Sequence, residues 1–397
     1  MVKPSSDYNN KDVVSAFSNI VNELAVRSGP ATVRTMSFWC GAGFAKAWAP
    51  QSPTEGTLFS ISRERIEKFR NLSHVLNALG WGDNDGIGFE GFKTLRYVLS
   101  MQLRYPDIRN RFLDDQNLAL SVDEIRTFVQ QRFEELSELN YVDLENNRFS
   151  LPKNLNQDQS AILAFFRHLS TAESTGFGSG LGALYHYITT NYDFTIETIL
   201  DNIDELKAPI INRLYRGVSP EYICGEPSWN RPAHTFDHNL IKLNGGFEII
   251  DVRDRYHFDY RRRDHADVQE RPPILILPSR EQDYSDPYFR AIFSKAVRVL
   301  RDTQILVIVG YSMPREDALL LFILRQLAES VEDAHGKYIF SIDLKAPDIL
   351  SKRINWTFSN VQKLGWPKVL HYTGRFEDFC KEVIDQNAVS APRELSG

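Results

Sequence analysis

Four short stretches of this 397-residue chain combine small turn residues with amide, hydroxyl and carboxyl groups in patterns suited to holding phosphate and sugar hydroxyls. In the first, Cys40-Gly41-Ala42-Gly43-Phe44, glycine permits a tight turn and lets an anion approach backbone N–H groups. The second is Thr189-Thr190-Asn191-Tyr192-Asp193, where an Asn amide offers both a donor and an acceptor, enough to grip a ribose hydroxyl or orient a water. Asn191 and Asp193 would serve equally well as helix N-caps. The third runs Ile241-Lys242-Leu243-Asn244-Gly245-Gly246. The fourth, Val307-Ile308-Val309-Gly310-Tyr311-Ser312-Met313, continues into Arg315-Glu316-Asp317. Each alone is compatible with ordinary loop chemistry. Four in succession, each at the end of a strand candidate, point to one ligand-binding edge.

The surrounding sequence has to supply that edge. Val13 to Val26 carries apolar residues at helical spacing and ends at Ser28-Gly29-Pro30. Val33 to Cys40 favours strand and runs straight into the first glycine turn. From about Ile61 the pattern turns helical, over Arg63 to Leu79, Phe92 to Leu103, Val122 to Leu139 and Gln159 to Leu169. Strand candidates then resume at Leu184 to Thr189, Asn239 to Leu243, Ile274 to Leu277, Gln304 to Val309 and Tyr338 to Asp343. Helical patterns separate several of them: Phe194 to Leu206, Pro287 to Leu300 and Glu316 to Ser330. The aliphatic run Ile305 to Val309 suits a central parallel strand covered on both faces. Such alternation predicts an α/β fold, a Rossmann-like doubly wound parallel sheet with an inserted, mostly helical module. The expected division is 1–60 and 181–385 for the sheet core, 61–180 for the insertion and 386–397 for a loose polar tail.

Composition narrows the functional classes. A net charge of −6 gives no general attraction to a phosphate backbone, so nucleic acid is not an expected partner. The arginines between Arg253 and Arg271 alternate with Asp254, Asp259, Asp264 and Asp267, as in a solvated loop or interface. Cys40, Cys224 and Cys380 lie far apart and form no Cys-x-x-Cys pair, which predicts a reducing compartment and no structural zinc. With no apolar run long enough to span a bilayer and a polar first segment, a cytoplasmic protein without membrane contact is expected. His234 and His238 are spaced like a metal pair, but no third ligand accompanies them.

The order Gly-Ala-Gly, Thr-x-Asn-x-Asp, Lys-Leu-x-Gly, Gly-x-Ser resembles the sirtuin family from Gly41 to Asp343. That resemblance implies that NAD is the ligand and substrate. It places the pyrophosphate at Gly41, Ala42, Gly43 and Phe44, the nicotinamide ribose and carboxamide at Thr190, Asn191 and Asp193, and the adenosine half at Gly310, Tyr311 and Ser312, with Asp343 on its ribose. Trp48 stands in the segment where the family's Pro-Asp-Phe-Arg is expected. The Gly-Tyr-Ser-Met-Pro form and the helical insertion look most like sirtuin-like proteins of bacterial antiphage defence. In those proteins the domain destroys NAD, and one branch works with a HerA-type ATPase, which implies a homo-oligomer with such a partner.

Two departures bear on the reaction. The cysteines cannot form the four-cysteine zinc site of protein-deacylating sirtuins, and Asn244 stands where the family carries its catalytic histidine. Asparagine is no general base near neutral pH. His238, with His186 and His234 as alternatives, is a candidate to supply that function. NAD hydrolysis nonetheless passes through an oxocarbenium-like state and releases a leaving group that needs no protonation. The expectation is therefore an NAD glycohydrolase acting through Asn191 and Asp193. The alternative is a catalytically weak NAD- or ADP-ribose-binding scaffold subunit.

Overall fold

The computed structural model describes residues 8–26, 34–82, 86–171, 183–204, 206–230, 238–253, 255–358 and 365–390. Its centre is a sheet of seven strands: β1 (Arg34–Cys40), β2 (Ala183–Thr189), β3 (Leu214–Tyr215), β4 (His238–Lys242), β5 (Ile305–Val309), β6 (Tyr338–Asp343) and β7 (Lys368–Thr373). They lie in the order β7-β6-β5-β1-β2-β4-β3, and every neighbouring pair is parallel. From β1 the chain goes outward to β2, on to the edge strand β3, back to β4 between them, and then to β5 on the other side of β1. Winding therefore reverses beside β1, which opens a crevice at the carboxyl ends of β1 and β5. The expected α/β, Rossmann-like doubly wound sheet is present.

Side-chain pattern explains why these strands lie in the middle. All five residues of β5, Ile-Leu-Val-Ile-Val, are buried, as a strand covered on both faces requires. On one face Phe17, from the helix Asn10–Val26, meets Phe165, Phe340 and Phe379 at ring separations of 5.7, 5.2 and 5.2 Å. On the other lies the helix Pro287–Asp302, which buries Tyr288, Phe289, Ile292, Ala296, Val299 and Leu300. Proline at its first turn fits a helix start, and the Asp286 carboxylate accepts the Tyr288 N–H at 2.8 Å.

Between β1 and β2 the described chain is mostly helical: Glu55–Leu58, Arg63–Ile66, Arg70–Ala78, Phe89–Arg104, Asp115–Leu136 and Gln157–Thr171, with one short strand pair, Ile61–Ser62 and Gly86–Ile87. The last of these helices packs on the core through Phe165 and Phe166.

Three features differ from the sequence expectation. The apolar stretch at Ile274 does not join the central sheet. Its strand, Pro273–Leu275, pairs antiparallel with Gly245–Asp251 in a second, five-stranded sheet. Gly245 causes the exit: at φ +82 it reverses the chain directly after β4, and a Cβ there would lie 2.0 Å from the Ile274 carbonyl oxygen. Second, β7 and the short β3 form the two edges of the central sheet, at positions where the sequence suggests no strand. Third, the segment expected to be a loose tail from Gln386 is helical through Ser390, because the helix Phe376–Ser390 buries Phe379, Cys380 and Val383. Gln386 and Asn387 add hydrogen bonds to Ser15, Asn22 and His168. Residues 391–397 lie outside the described residues.

Candidate functional site

The carboxyl ends of β1, β2, β4 and β5 surround a cleft of about 400 Å³ lined by Ala42, Thr190, Asn191, Tyr192, Asp193, Asn244, Gly310, Tyr311 and Ser312. All four motif turns thus reach one cavity. Beside it, a second cavity of about 320 Å³ is lined by Gly43, Lys46, Gly310, Asp343, Arg375 and Glu377. Gly310 borders both, so the ridge between them is the turn after β5.

Backbone contact builds that ridge. The Gly41 N–H donates to the Val309 carbonyl at 2.9 Å, the Gly43 N–H to Gly310 at 3.1 Å, and the Gly310 N–H to Ile342 at 3.1 Å. A Cβ on Gly43 would stand 2.6 Å from the Gly310 Cα, and Gly310 itself has φ +57. The glycines at 41, 43 and 310 therefore let two turns touch, and the amides of all three are committed within the protein. The Gly41 and Gly43 N–H groups thus bond within the protein. Phe44 likewise points into the core, packed against Phe166 and Phe376. Ala42, at the start of the short helix Ala42–Trp48, remains in the cleft wall.

The Thr-Thr-Asn turn is stitched to the first one. The Thr189 hydroxyl donates to Cys40 O at 2.9 Å and accepts the Asn191 N–H at 3.0 Å, while the Asn191 Nδ2 donates to Gly41 O at 2.9 Å. Asp193 has two duties. Its carboxylate accepts the Thr195 N–H at 2.9 Å from one residue before the N-cap, which is Phe194 and not the expected Asn191 or Asp193, and it also lines the cleft.

Beneath this turn sits a buried ion network. Lys242 Nζ donates to Asp193 O at 2.7 Å and lies 2.8 Å from Glu197 and 3.0 Å from Glu248. Burial opposes the lysine charge, but the two carboxylates hold its pKa above the ordinary value. Burial also raises Glu248 to about 7, against the pull of Lys242. One cation thus fixes the backbone of Asp193 from below.

Asn244 sits on the cleft wall and donates Nδ2 to Thr190 O at 3.3 Å. That bond fixes the amide orientation and leaves Oδ1 buried with no partner among the described residues. Ser279 Oγ, on the same wall, is likewise buried without one. Buried polar atoms left this way are uncommon, and both accept donors such as a carboxamide or a ribose hydroxyl.

The motifs give no role to several wall residues: Glu55, Lys93, Ser279, Glu316 and Asp317. The Tyr311 hydroxyl donates to Asp317 Oδ2 at 2.8 Å. Burial lifts the Asp317 carboxyl to about 6, the Tyr311 bond opposing it. Glu55 is also raised, first by loss of hydration. Nothing in a one-dimensional pattern announces these partners, except that Asp317 closes the fourth motif.

The remaining candidates lie elsewhere. Trp48 lines a third cavity, which meets the cleft at Ser52, Phe133 and Asp193. Asp343 ends β6, accepts the Lys345 N–H at 2.9 Å and lines the second cavity. His238 opens β4, at the amino edge of the sheet, with Nδ1 3.2 Å from the Tyr185 carbonyl. Four residues of extended chain separate it from Lys242, roughly 13 Å. It therefore does not reach the cleft, and neither does His186, which bonds Asn239 within the sheet. His234 lies outside the described residues. Among the described residues no group of three His, Cys, Asp or Glu side chains is placed to hold a metal ion, and no helix is long and apolar enough to cross a membrane.

The sequence matches no protein-family model and no curated protein at a significant level. By shape the chain is similar to a solved structure described as "The Structural basis of Sirtuin Substrate Affinity", at 11% identity and a TM-score of 0.39, covering 94% of this chain and 98% of that one.

Proposed function

We propose that this chain binds NAD across the two cavities and hydrolyses it to ADP-ribose and nicotinamide. The observation that carries the proposal is the convergence of Thr190, Asn191, Asp193, Asn244 and Ser312 on one cleft at the point where the sheet reverses its winding. The nicotinamide half occupies that cleft. Its carboxamide and ribose hydroxyls meet the orphaned Asn244 Oδ1 and Ser279 Oγ. The adenosine half crosses the Gly310 ridge into the second cavity, where Asp343 takes its ribose.

The wall suits the chemistry. Glu55, Asp193, Glu316 and Asp317 face a cavity in which Lys93 is the one basic lining residue among the described residues. Carboxylates placed before the reaction stabilise the cationic pyridinium and the positive charge that develops on the ribose. Asn191, pinned through its Nδ2, holds the sugar or an attacking water with its remaining acceptor. Homo-oligomerisation, a HerA-type ATPase partner and a role in antiphage defence belong to the same proposal and rest on the resemblance of the four motifs. So does the assignment of 61–180 as an inserted module, in which Phe89, Lys93 and Phe133 supply one wall of the cleft.

Incubating the purified full chain with NAD, alone and with a candidate ATPase, tests the activity through release of nicotinamide. Release that stops in Asn191→Ala supports hydrolysis at this cleft. A second reading is a nucleotide-binding scaffold, favoured by Asn244, whose amide is bonded to Thr190 and offers no base. Calorimetric NAD binding with no release under either condition selects the scaffold.

A further inference from the structure

We propose that Asp317 accepts the proton of the water that attacks the ribose; this deepens the hydrolase reading and rests on it. Asp317 occupies the N-cap position of the helix Ala318–Leu324, yet its side chain makes no capping hydrogen bond. An aspartate there ordinarily turns back onto the first free N–H groups. Instead its Oδ2 accepts the Tyr311 hydroxyl at 2.8 Å, and both residues line the cleft with Thr190, Asn191 and Asn244. The Tyr311 ring is buried against Trp39 at 5.7 Å, so the hydroxyl that aims the carboxylate is itself fixed.

The other groups of the cleft are poorer candidates. Asparagines 191 and 244 take no proton near neutral pH. The Asp193 carboxylate is bound to the Thr195 N–H, and the Tyr192 hydroxyl is given to Ile276 O at 2.6 Å. Glu55 and Glu316 are exposed on the rim. Asp317 combines shelter with an oriented lone pair. Burial holds it at about 6, aided by Glu55 and Glu316 and opposed by Tyr311. Tyr192 and Tyr284 feel its charge from neighbouring segments, and Lys93 faces the same cavity from the helix Phe89–Arg104. A carboxyl so placed is largely ionised at neutral pH and remains basic enough to be useful.

The step balances as follows. The bond between ribose C1′ and the pyridinium nitrogen breaks, its electron pair goes to the nitrogen, and nicotinamide leaves neutral. The water oxygen bonds to C1′, and its proton passes to the Asp317 carboxylate and from there to solvent, leaving ADP-ribose.

The test compares wild type, Asp317→Asn, Asp317→Glu and Tyr311→Phe in the full chain. It reads NAD turnover against pH, NAD affinity by calorimetry, and carboxyl titration by difference infrared spectroscopy. Wild-type turnover is expected to rise with pH through about 6. Asp317→Asn should lose about 10²- to 10⁴-fold in kcat at unchanged affinity, with Asp317→Glu recovering part of it. Tyr311→Phe removes a bond that favours the ionised form, so the acid limb should move to higher pH. The titrating carboxyl band should vanish in Asp317→Asn whether or not turnover is measured. Asp317→Asn turning over within about threefold of wild type on the same pH limb overturns the assignment and leaves the hydrolase reading standing. Wild type that binds NAD and never turns it over overturns both.

Discussion

The two cavities on either side of Gly310 share the turns after β1 and β5 and differ in charge. The first is walled by Glu55, Asp193, Glu316 and Asp317, with Lys93 beside them. The second brings Lys46 and Arg375 beside Asp343 and Glu377, with Arg375 already paired to Glu377. An acid-walled chamber favours a positive charge forming inside it, whereas a mixed one can recognise a neutral or anionic group without promoting ionisation. On the proposed reading, the first is where the chemistry occurs and the second is where the adenosine half is recognised. A glycine contact lets one sheet edge hold both.

The largest effect should come from the support under the first cavity. Lys242→Met leaves Glu197 and Glu248 buried without their cation. Chemical denaturation should show a loss of about 3–5 kcal/mol, partly relieved at low pH where the glutamates protonate. A change near zero would show that the network does not hold the Asp193 turn. Gly310→Ala attacks the ridge itself: a Cβ would lie 2.3 Å from Gly43 Cα, at φ +57. Thermal unfolding should reveal a cost of more than about 2 kcal/mol, and ligand affinity should fall for probes of both cavities.

A smaller effect follows from Asp317, whose folded-state pKa is raised from 3.8 to about 6. The folded protein then binds this proton more tightly than the unfolded chain. Its stabilisation is complete below about pH 4 and is lost as pH rises through about 6, at most about 3 kcal/mol across the window. Stability curves of Asp317→Asn should lack that slope; identical curves would remove the distinction between the chambers. Asp343→Ala touches only the second cavity. It should raise KM for NAD by about tenfold with kcat and its pH profile unchanged, since a lost binding contact acts on ground and transition states alike.

Much of this architecture is legible in the sequence. The aliphatic Ile305–Val309 run suits a doubly covered strand, which it is, and the four turn motifs fall at strand ends that meet at one cleft. What pattern could not give was direction and partnership. The run at Ile274–Leu277 has the same apolar character as a core strand, and only the reversal at Gly245 sends it into another sheet. The close approach of Gly43 to Gly310 is a contact between two motifs that neither motif shows by itself. His238 was near Asn244 in sequence, yet the rise of one strand carries it to the opposite edge. Asp317 lay in plain view within the fourth motif; its significance depends on Tyr311 folding over it, a contact that no spacing rule encodes.

The most direct measurement is the release of nicotinamide from NAD by the purified chain, with and without its candidate ATPase, in wild type and Asn191→Ala matched for folding by circular dichroism. The expected result is turnover in wild type and a loss of about 10²-fold or more in the variant. Equal turnover in both proteins would contradict the placement of the reaction at this cleft, and none in either would leave a nucleotide-binding scaffold.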